Sequence, residues 1–135
     1  DAGADIITIH QESTTRLYSC IEKIKSRGVK AGVVLSPATN EDTLKYVLDK
    51  IDMILLMTIN PGEAGPGFHE ELLTKIKNVR ELIGDRDIDL EVDGGIDNTN
   101  IAKCKEAGVN VFVSGGYVFK GDIAEKIKTL REALK

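Results

Sequence analysis

The chain lacks the features that would place it in several large classes. It has only two cysteines in 135 residues. Cys20 and Cys104 stand singly inside helical patterns, with no metal-ligand or redox spacing. They read as buried thiols of a reducing compartment, so a cytoplasmic protein is expected. No apolar run reaches the length of a membrane span. The first residues lack the charged-then-apolar layout of a signal peptide. No basic run, and no interleaving of aromatic with basic residues, suggests nucleic acid. The formal net charge is -4, with acids and bases interspersed. What remains is 41% hydrophobic and 30% charged residues, the balance of one globular domain over residues 1–135 with a core of its own. Neither a membrane nor a nucleic acid is expected as a partner.

The order of elements is legible from periodicity and punctuation. Glu106-Ala-Gly-Val-Asn110 leads from a helix end through glycine into the strand Val111-Phe-Val-Ser114. The opening Asp1-Ala-Gly-Ala-Asp5 leads into Ile6-Ile-Thr-Ile-His10 in the same way. The chain thus reads as beginning in the tail of a helix. A helix follows Ser13 or Thr14, with Leu17, Ile21 and Ile24 on one face, and ends at Gly28. Residues 29–35 form an apolar strand stopped by Ser36-Pro37. Thr39 or Asn40 caps a short helix with Leu44, Val47 and Leu48 inward; Asp42, three residues after Thr39, would complete a capping box. Residues 51–59 are the longest apolar run and read as a strand covered on both faces.

A glycine-rich loop over residues 60–67 comes next, then a helix over about residues 69–83. Ile88 to Asp93 is a strand, and a short helix carries Ile101 and Cys104. The strand 109–114 runs into Gly115-Gly116, and a last helix from near Asp122 would bury Ile123, Ile127, Leu130 and Leu134. Five strands alternating with five helices imply a parallel α/β sheet. An open doubly wound sheet and part of a (β/α)8 TIM barrel both fit. Leu90 and Val92 point one way, Glu91 and Asp93 the other. A strand buried on both faces would be apolar on both, whereas a barrel strand can aim polar groups at the mouth, so the barrel is favoured. A full barrel needs about 250 residues, so this would be an incomplete barrel of about five βα units.

In either architecture ligands bind at the carboxyl ends of the strands. Three glycine clusters lie there: the loop with Gly62 and Gly65, then Gly94-Gly95, then Gly115-Gly116. Such glycines serve tight turns, or they let backbone N–H groups close around an anion. Three clusters on one rim favour the anion. Asp93 is either a turn former or an acid/base or metal-binding group, and its inward parity beside the glycines favours chemistry. Met57 shares the inward parity of Met53 and Leu55, as core or as an apolar wall. His10 reads as a structural residue and is left out of the chemistry.

Met57-Thr-Ile-Asn-Pro-Gly62, Gly65 with Phe68, and Glu91-Val-Asp-Gly-Gly95 resemble the ribulose-phosphate 3-epimerase family. Ala31-Gly-Val-Val-Leu35 with Pro37, and Ala107-Gly108 leading to Gly115 and Val118-Phe119, are similar as well. The resemblance implies the C-terminal part of a ribulose-phosphate-binding barrel, its strands four to eight. It implies exchange of D-ribulose 5-phosphate and D-xylulose 5-phosphate by two aspartates through a metal-stabilised enediolate. Asp93 matches the second aspartate, as catalytic group and metal ligand. The divalent metal would be zinc, iron, manganese or cobalt, with its remaining ligands upstream. Phosphate would sit on Gly62, Glu63, Ala64, Gly65, Gly94, Gly95, Gly115 and Gly116, with Met57 over the reaction centre.

Some positions depart from the family pattern. Glu63 stands where the family usually has Phe, Pro66 replaces a usual Gln, and Gly116-Tyr117 replace Ser and a small residue. An acid beside a phosphate is unfavourable unless it points away. Alternatives are therefore a D-allulose 6-phosphate 3-epimerase and a non-catalytic sugar-phosphate-binding relative. An aldolase or decarboxylase on the same barrel needs a lysine at a strand end, whereas Lys30 opens a strand. The implied partners are a small-molecule sugar phosphate and further copies of the chain in a homo-oligomer.

Overall fold

The computed structural model describes residues 2–63 and 67–135. Five strands form one sheet: β1 (Ile6–His10), β2 (Lys30–Leu35), β3 (Met53–Met57), β4 (Asp89–Asp93) and β5 (Val111–Val113). They run parallel in the order β1-β2-β3-β4-β5. A doubly wound sheet reverses its strand order partway, and here the order is strictly consecutive. The α-helices are α1 (Leu17–Lys25), α2 (Leu72–Ile83), α3 (Ile101–Ala107) and α4 (Ile123–Ala133). The architecture is that of an incomplete (β/α)8 barrel.

Strand periodicity decides which face carries what. Ala31, Val33, Leu35, Ile54, Leu56, Leu90 and Val92 are fully or almost fully buried and share one core with the helices. Leu17 and Ile21 of α1, Ile76, Val79 and Ile83 of α2, and Ile101 and Cys104 of α3 complete it. The alternate residues face the other way, into the concave side. One register row there is His10, Val34, Leu55, Glu91 and Val111. The next row toward the carboxyl ends holds Met57, Asp93 and Val113. The inward parity expected for Glu91, Asp93 and Met57 therefore holds.

Two expectations are corrected. The short helix expected near residues 40–48 is instead a pair of 3-10 turns, Glu41–Leu44 and Leu48–Lys50. Its backbone bonds span three residues, as in Thr43 N–H to Asn40 O and Val47 N–H to Leu44 O. Asn40, not Thr39, accepts from Asp42 N–H at 2.7 Å. Thr43, Tyr46 and Val47 are weak helix formers, so short tight turns suffice to bury Leu44, Val47 and Leu48. In α4, Ile123 and Ile127 are 46% and 36% exposed rather than buried. The sheet ends at β5, so that face of α4 has no strand beneath it. Ile6 and Ile7 at the opposite edge are similarly exposed.

Side chains at the amino ends of the strands hold the register. Asp52 accepts from Ala31 N–H at 2.9 Å and from Lys25 Nζ at 2.6 Å. Asn110 accepts from Leu90 N–H at 2.7 Å and donates to Asp89 at 2.7 Å. Each side chain ties the start of one strand to its predecessor.

Candidate active site

The residues at the carboxyl ends of β3, β4 and β5 form one continuous rim. Met57 and Asp93 are register partners, and Val113 pairs with Asp93 on the other side. The Asp93 carboxyl is half-buried, and burial raises its pKa above the usual carboxylate range. Its side chain has no hydrogen-bond donor among the described residues. A carboxyl that is neither paired nor fully solvated is suited to proton exchange nearer neutral pH. Glu91, one row deeper, is raised as well, first by burial and then by the charges of Asp93 and Asp89.

The glycines after β4 have a structural reason to be glycine. Thr58 is fully buried. Its N–H donates to Asp93 O at 2.9 Å, and its hydroxyl donates to Gly94 O at 2.5 Å. This draws the β3 and β4 rims together. Gly94 has φ +130°, and a Cβ there would lie 2.7 Å from Ile59 N. Gly95 has φ +66°, and a Cβ would lie 2.7 Å from Phe68 N. Asn100 donates to Gly95 O at 2.8 Å and accepts from Asp97 N–H at 3.0 Å, closing the turn from the helix side. The turn role and the anion role of this pair are thus both in play.

Gly115 and Gly116 differ. Both are exposed, neither has positive φ, and nothing lies within 4 Å of a Cβ at either position. Nothing in the described residues demands glycine here. Neither N–H makes a backbone hydrogen bond among the described residues. Two uncommitted backbone donors at exposed positions are what an anion site can use.

In the loop after β3, Glu63 N–H donates to Asn60 O at 3.1 Å, with Pro61 second and Gly62 third at φ +83°. This is a type II turn, which needs positive φ at the position of Gly62. The Glu63 carboxylate accepts from Asn60 Nδ2 at 3.3 Å at each oxygen, so its charge is turned back onto its own loop. Ala64 and Gly65 lie outside the described residues.

Two residues near the rim were not expected from the sequence. Lys75 lies on the apolar face of α2 beside Ile76 and is 9% exposed, while Leu72 and Leu73 are only partly buried. The one available signal was a lysine one residue before Ile76 in that stripe. Glu12 belongs to a 3-10 turn (Gln11–Ser13) that periodicity does not reveal.

The metal expectation meets a partial donor set. Among the described residues, no group of three or more His, Cys, Asp or Glu side chains could hold a metal ion. Asp93 offers one carboxylate, and His10 ends a strand three places away, roughly 14 Å at ordinary strand spacing. These residues alone do not make a metal centre. No helix among the described residues is long and apolar enough to cross a membrane.

A sequence model described as the ribulose-phosphate 3 epimerase family matches residues 1–119. The chain is 43% identical over 135 residues to the chloroplastic ribulose-5-phosphate-3-epimerase of Arabidopsis thaliana, covering 96% of this chain and 48% of that protein. It is 48% identical over 120 residues to a ribulose-phosphate 3-epimerase of Serratia marcescens, covering 87% and 57%. Against that of Escherichia coli it is 43% identical over 136 residues, covering 98% and 60%. The chain thus spans about half to three-fifths of the length of these relatives. Among solved structures, a 3-hexulose-6-phosphate synthase superposes with a TM-score of 0.74 at 25% identity, over 99% of this chain and 64% of that one. A 3-keto-L-gulonate-6-phosphate decarboxylase from Vibrio cholerae superposes with a TM-score of 0.75 at 20% identity, over 98% and 62%. The latter likeness concerns the fold alone.

Proposed function

The chain belongs to the ribulose-phosphate 3-epimerase family, and from that membership we propose that it carries one acid/base group and the phosphate rim of a ketose-phosphate 3-epimerase. The reaction interconverts D-ribulose 5-phosphate and D-xylulose 5-phosphate. A proton leaves C3 on one face, the electron pair delocalises into the C2 carbonyl, and a proton returns to the other face. Asp93 serves one face. The observation that supports this role is its inward, half-buried carboxyl at the end of β4, raised by burial and free of donors among the described residues. The group serving the other face lies outside the described residues.

Phosphate binds the rim beyond Asp93. The N–H groups of Gly115 and Gly116 are the principal donors, because those positions are open and uncommitted. Gly62, Gly94 and Gly95 shape the facing wall, with Glu63 turned onto Asn60 and out of the phosphate's way. Met57 provides the apolar floor beside the reacting carbon. Asp93 would be one ligand of a divalent metal, whose chemistry is to stabilise the negative charge that develops on the sugar oxygens. The described residues do not complete its ligand set, so no step is derived through it. A homo-oligomer that acts in the cytoplasm belongs to the same proposal.

The test is the Asp93→Asn variant of the intact protein, assayed for epimerisation and for binding of inorganic phosphate. Activity should fall at least a hundredfold, the usual contribution of a positioned acid/base group, with phosphate binding retained. Unchanged turnover in the variant refutes the role given to Asp93. A wild type that binds sugar phosphates without turnover favours the non-catalytic reading.

A further inference from the structure

We propose that His10 contacts the bound ketose phosphate as a hydrogen-bond acceptor for a sugar hydroxyl, and that Glu12 is the residue positioning it. This rests on the ketose-phosphate reading above and extends it to the wall opposite Asp93. It also reverses the structural role that the sequence suggested for this histidine.

His10 is the last residue of β1. It pairs in register with Val34, which pairs with Leu55, and Leu55 with Glu91, so its side chain stands on the concave face with theirs. The imidazole is 40% exposed, on the strand at the edge of the five-stranded sheet. Its Nδ1 lies 3.7 Å from Glu12 Oε2. A neutral imidazole carries one N–H, and a carboxylate beside Nδ1 favours the proton there. Nε2 is then an acceptor, and it has no partner among the described residues.

Glu12 is held from a second side. Its Oε1 accepts from Ser36 N–H at 2.8 Å and from the Thr39 hydroxyl. Burial alone would raise this carboxyl, but those donors outweigh it and hold the pKa below the usual range, so Glu12 stays charged. The loop that grips it is anchored in turn. Lys75 Nζ donates to Ser36 O at 2.9 Å and to Pro37 O at 3.0 Å from a site that is 9% exposed. Hydrogen bonds therefore run from a buried lysine on α2, through the β2 rim, to Glu12, whose other oxygen stands 3.7 Å from the imidazole. An acceptor so placed selects for ligands that carry hydroxyls. Inorganic phosphate, seated near β5, does not reach β1 at the far edge of the sheet.

The test compares two ligands on the intact protein, D-ribulose 5-phosphate and inorganic phosphate, by titration calorimetry. His10→Asn keeps an amide near the Nδ1 position and loses Nε2. Ketose-phosphate affinity should fall about three- to tenfold, the loss of one hydrogen bond, with phosphate affinity unchanged. His10→Gln, whose amide reaches toward the Nε2 position, should recover part of the loss. Glu12→Ala should reproduce the defect, and adding it to His10→Asn should cost nothing further. Unfolding midpoints of all variants guard against a folding defect, and His10→Gln carries the comparison if His10→Asn is unstable. Wild-type affinity for both ligands in His10→Asn overturns the proposal and leaves the epimerase reading standing, as does an equal loss of both. A wild type that binds inorganic phosphate but no ketose phosphate overturns both.

Discussion

Replacing Gly94 by alanine and, separately, Gly115 by alanine should divide the rim into a part that holds the fold and a part that holds the ligand. At Gly94 a side chain must adopt φ +130°, and its Cβ would stand 2.7 Å from both Ile59 N and Ile59 Cγ1. The backbone strain costs roughly 1–3 kcal/mol. Overpacking against a main-chain atom adds about 1–3 kcal/mol. The neighbour cannot simply rotate away, because the main chain beside it is tied through Thr58 to Asp93 O and Gly94 O. A domain's whole stability is about 5–15 kcal/mol, so Gly94→Ala removes a large fraction of it. With a urea slope of about 1–3 kcal/mol per molar, a loss near 3 kcal/mol lowers the midpoint by on the order of 1–3 M. At Gly115 no positive φ and no neighbour within 4 Å opposes a methyl group. Stability there should change by less than about 0.5 kcal/mol, while affinity for inorganic phosphate should fall because a methyl group beside the N–H groups crowds the approach of the anion. The assay is urea unfolding followed by circular dichroism, paired with phosphate titration. A Gly94→Ala protein with the wild-type midpoint refutes the close-approach reasoning. A Gly115→Ala protein that unfolds early, or that binds phosphate normally, refutes the assignment of that space to a ligand.

Two further outcomes are expected. Burial alone would raise the Asp52 carboxyl, but Lys25 and Ala31 N–H hold it below the usual range. A depressed folded-state pKa contributes stability that is present above the unfolded value of about 3.9 and lost as pH falls through the folded value. The stability gap between wild type and Asp52→Asn should therefore be widest near neutral pH and close in strongly acid urea titrations; a gap independent of pH contradicts the ion pair. The edges β1 and β5 and the exposed Ile6, Ile7, Ile123 and Ile127 make residues 1–135, expressed alone, prone to self-association. Sedimentation velocity should show this and should shift toward monomer in Ile123→Gln/Ile127→Gln, whereas a monodisperse wild-type monomer contradicts it.

The parallel sheet, its inward and outward faces and the place of Asp93 were legible because each depends on short-range pattern. Alternation along residues 88–93 puts Leu90 and Val92 on one side and Glu91 and Asp93 on the other, whatever the neighbours are. Glycine and proline mark the strand ends through their own backbone preferences, so the three loops of the rim could be named in advance. The pattern misled where burial depends on what lies across the sheet. The isoleucines of α4 have helical spacing, yet Ile123 and Ile127 are exposed because the sheet stops at β5. Residues 41–50 carry inward leucines, but side-chain and backbone bonds over three residues, such as Thr43 to Asn40, give 3-10 turns instead of a helix.

The sequence by itself determined the order of the strands, their faces, the carboxylate at the end of β4 and the family of the chain. These follow from spacing within single segments and from motifs in one order along the chain. Only the tertiary structure decided the role of each glycine and the company of each charge. Gly94 and Gly95 are glycine because the β3–α2 segment passes 2.7 Å from where their Cβ atoms would be, while Gly115 and Gly116 face open space. Lys75 is buried because two carbonyls of a loop 38 and 39 residues away accept its protons. Glu12 stands 3.7 Å from the His10 imidazole because Ser36 and Thr39, 24 and 27 residues on, fix its carboxylate. Long-range contacts of this kind are set by the packing of whole elements, and no local pattern encodes them.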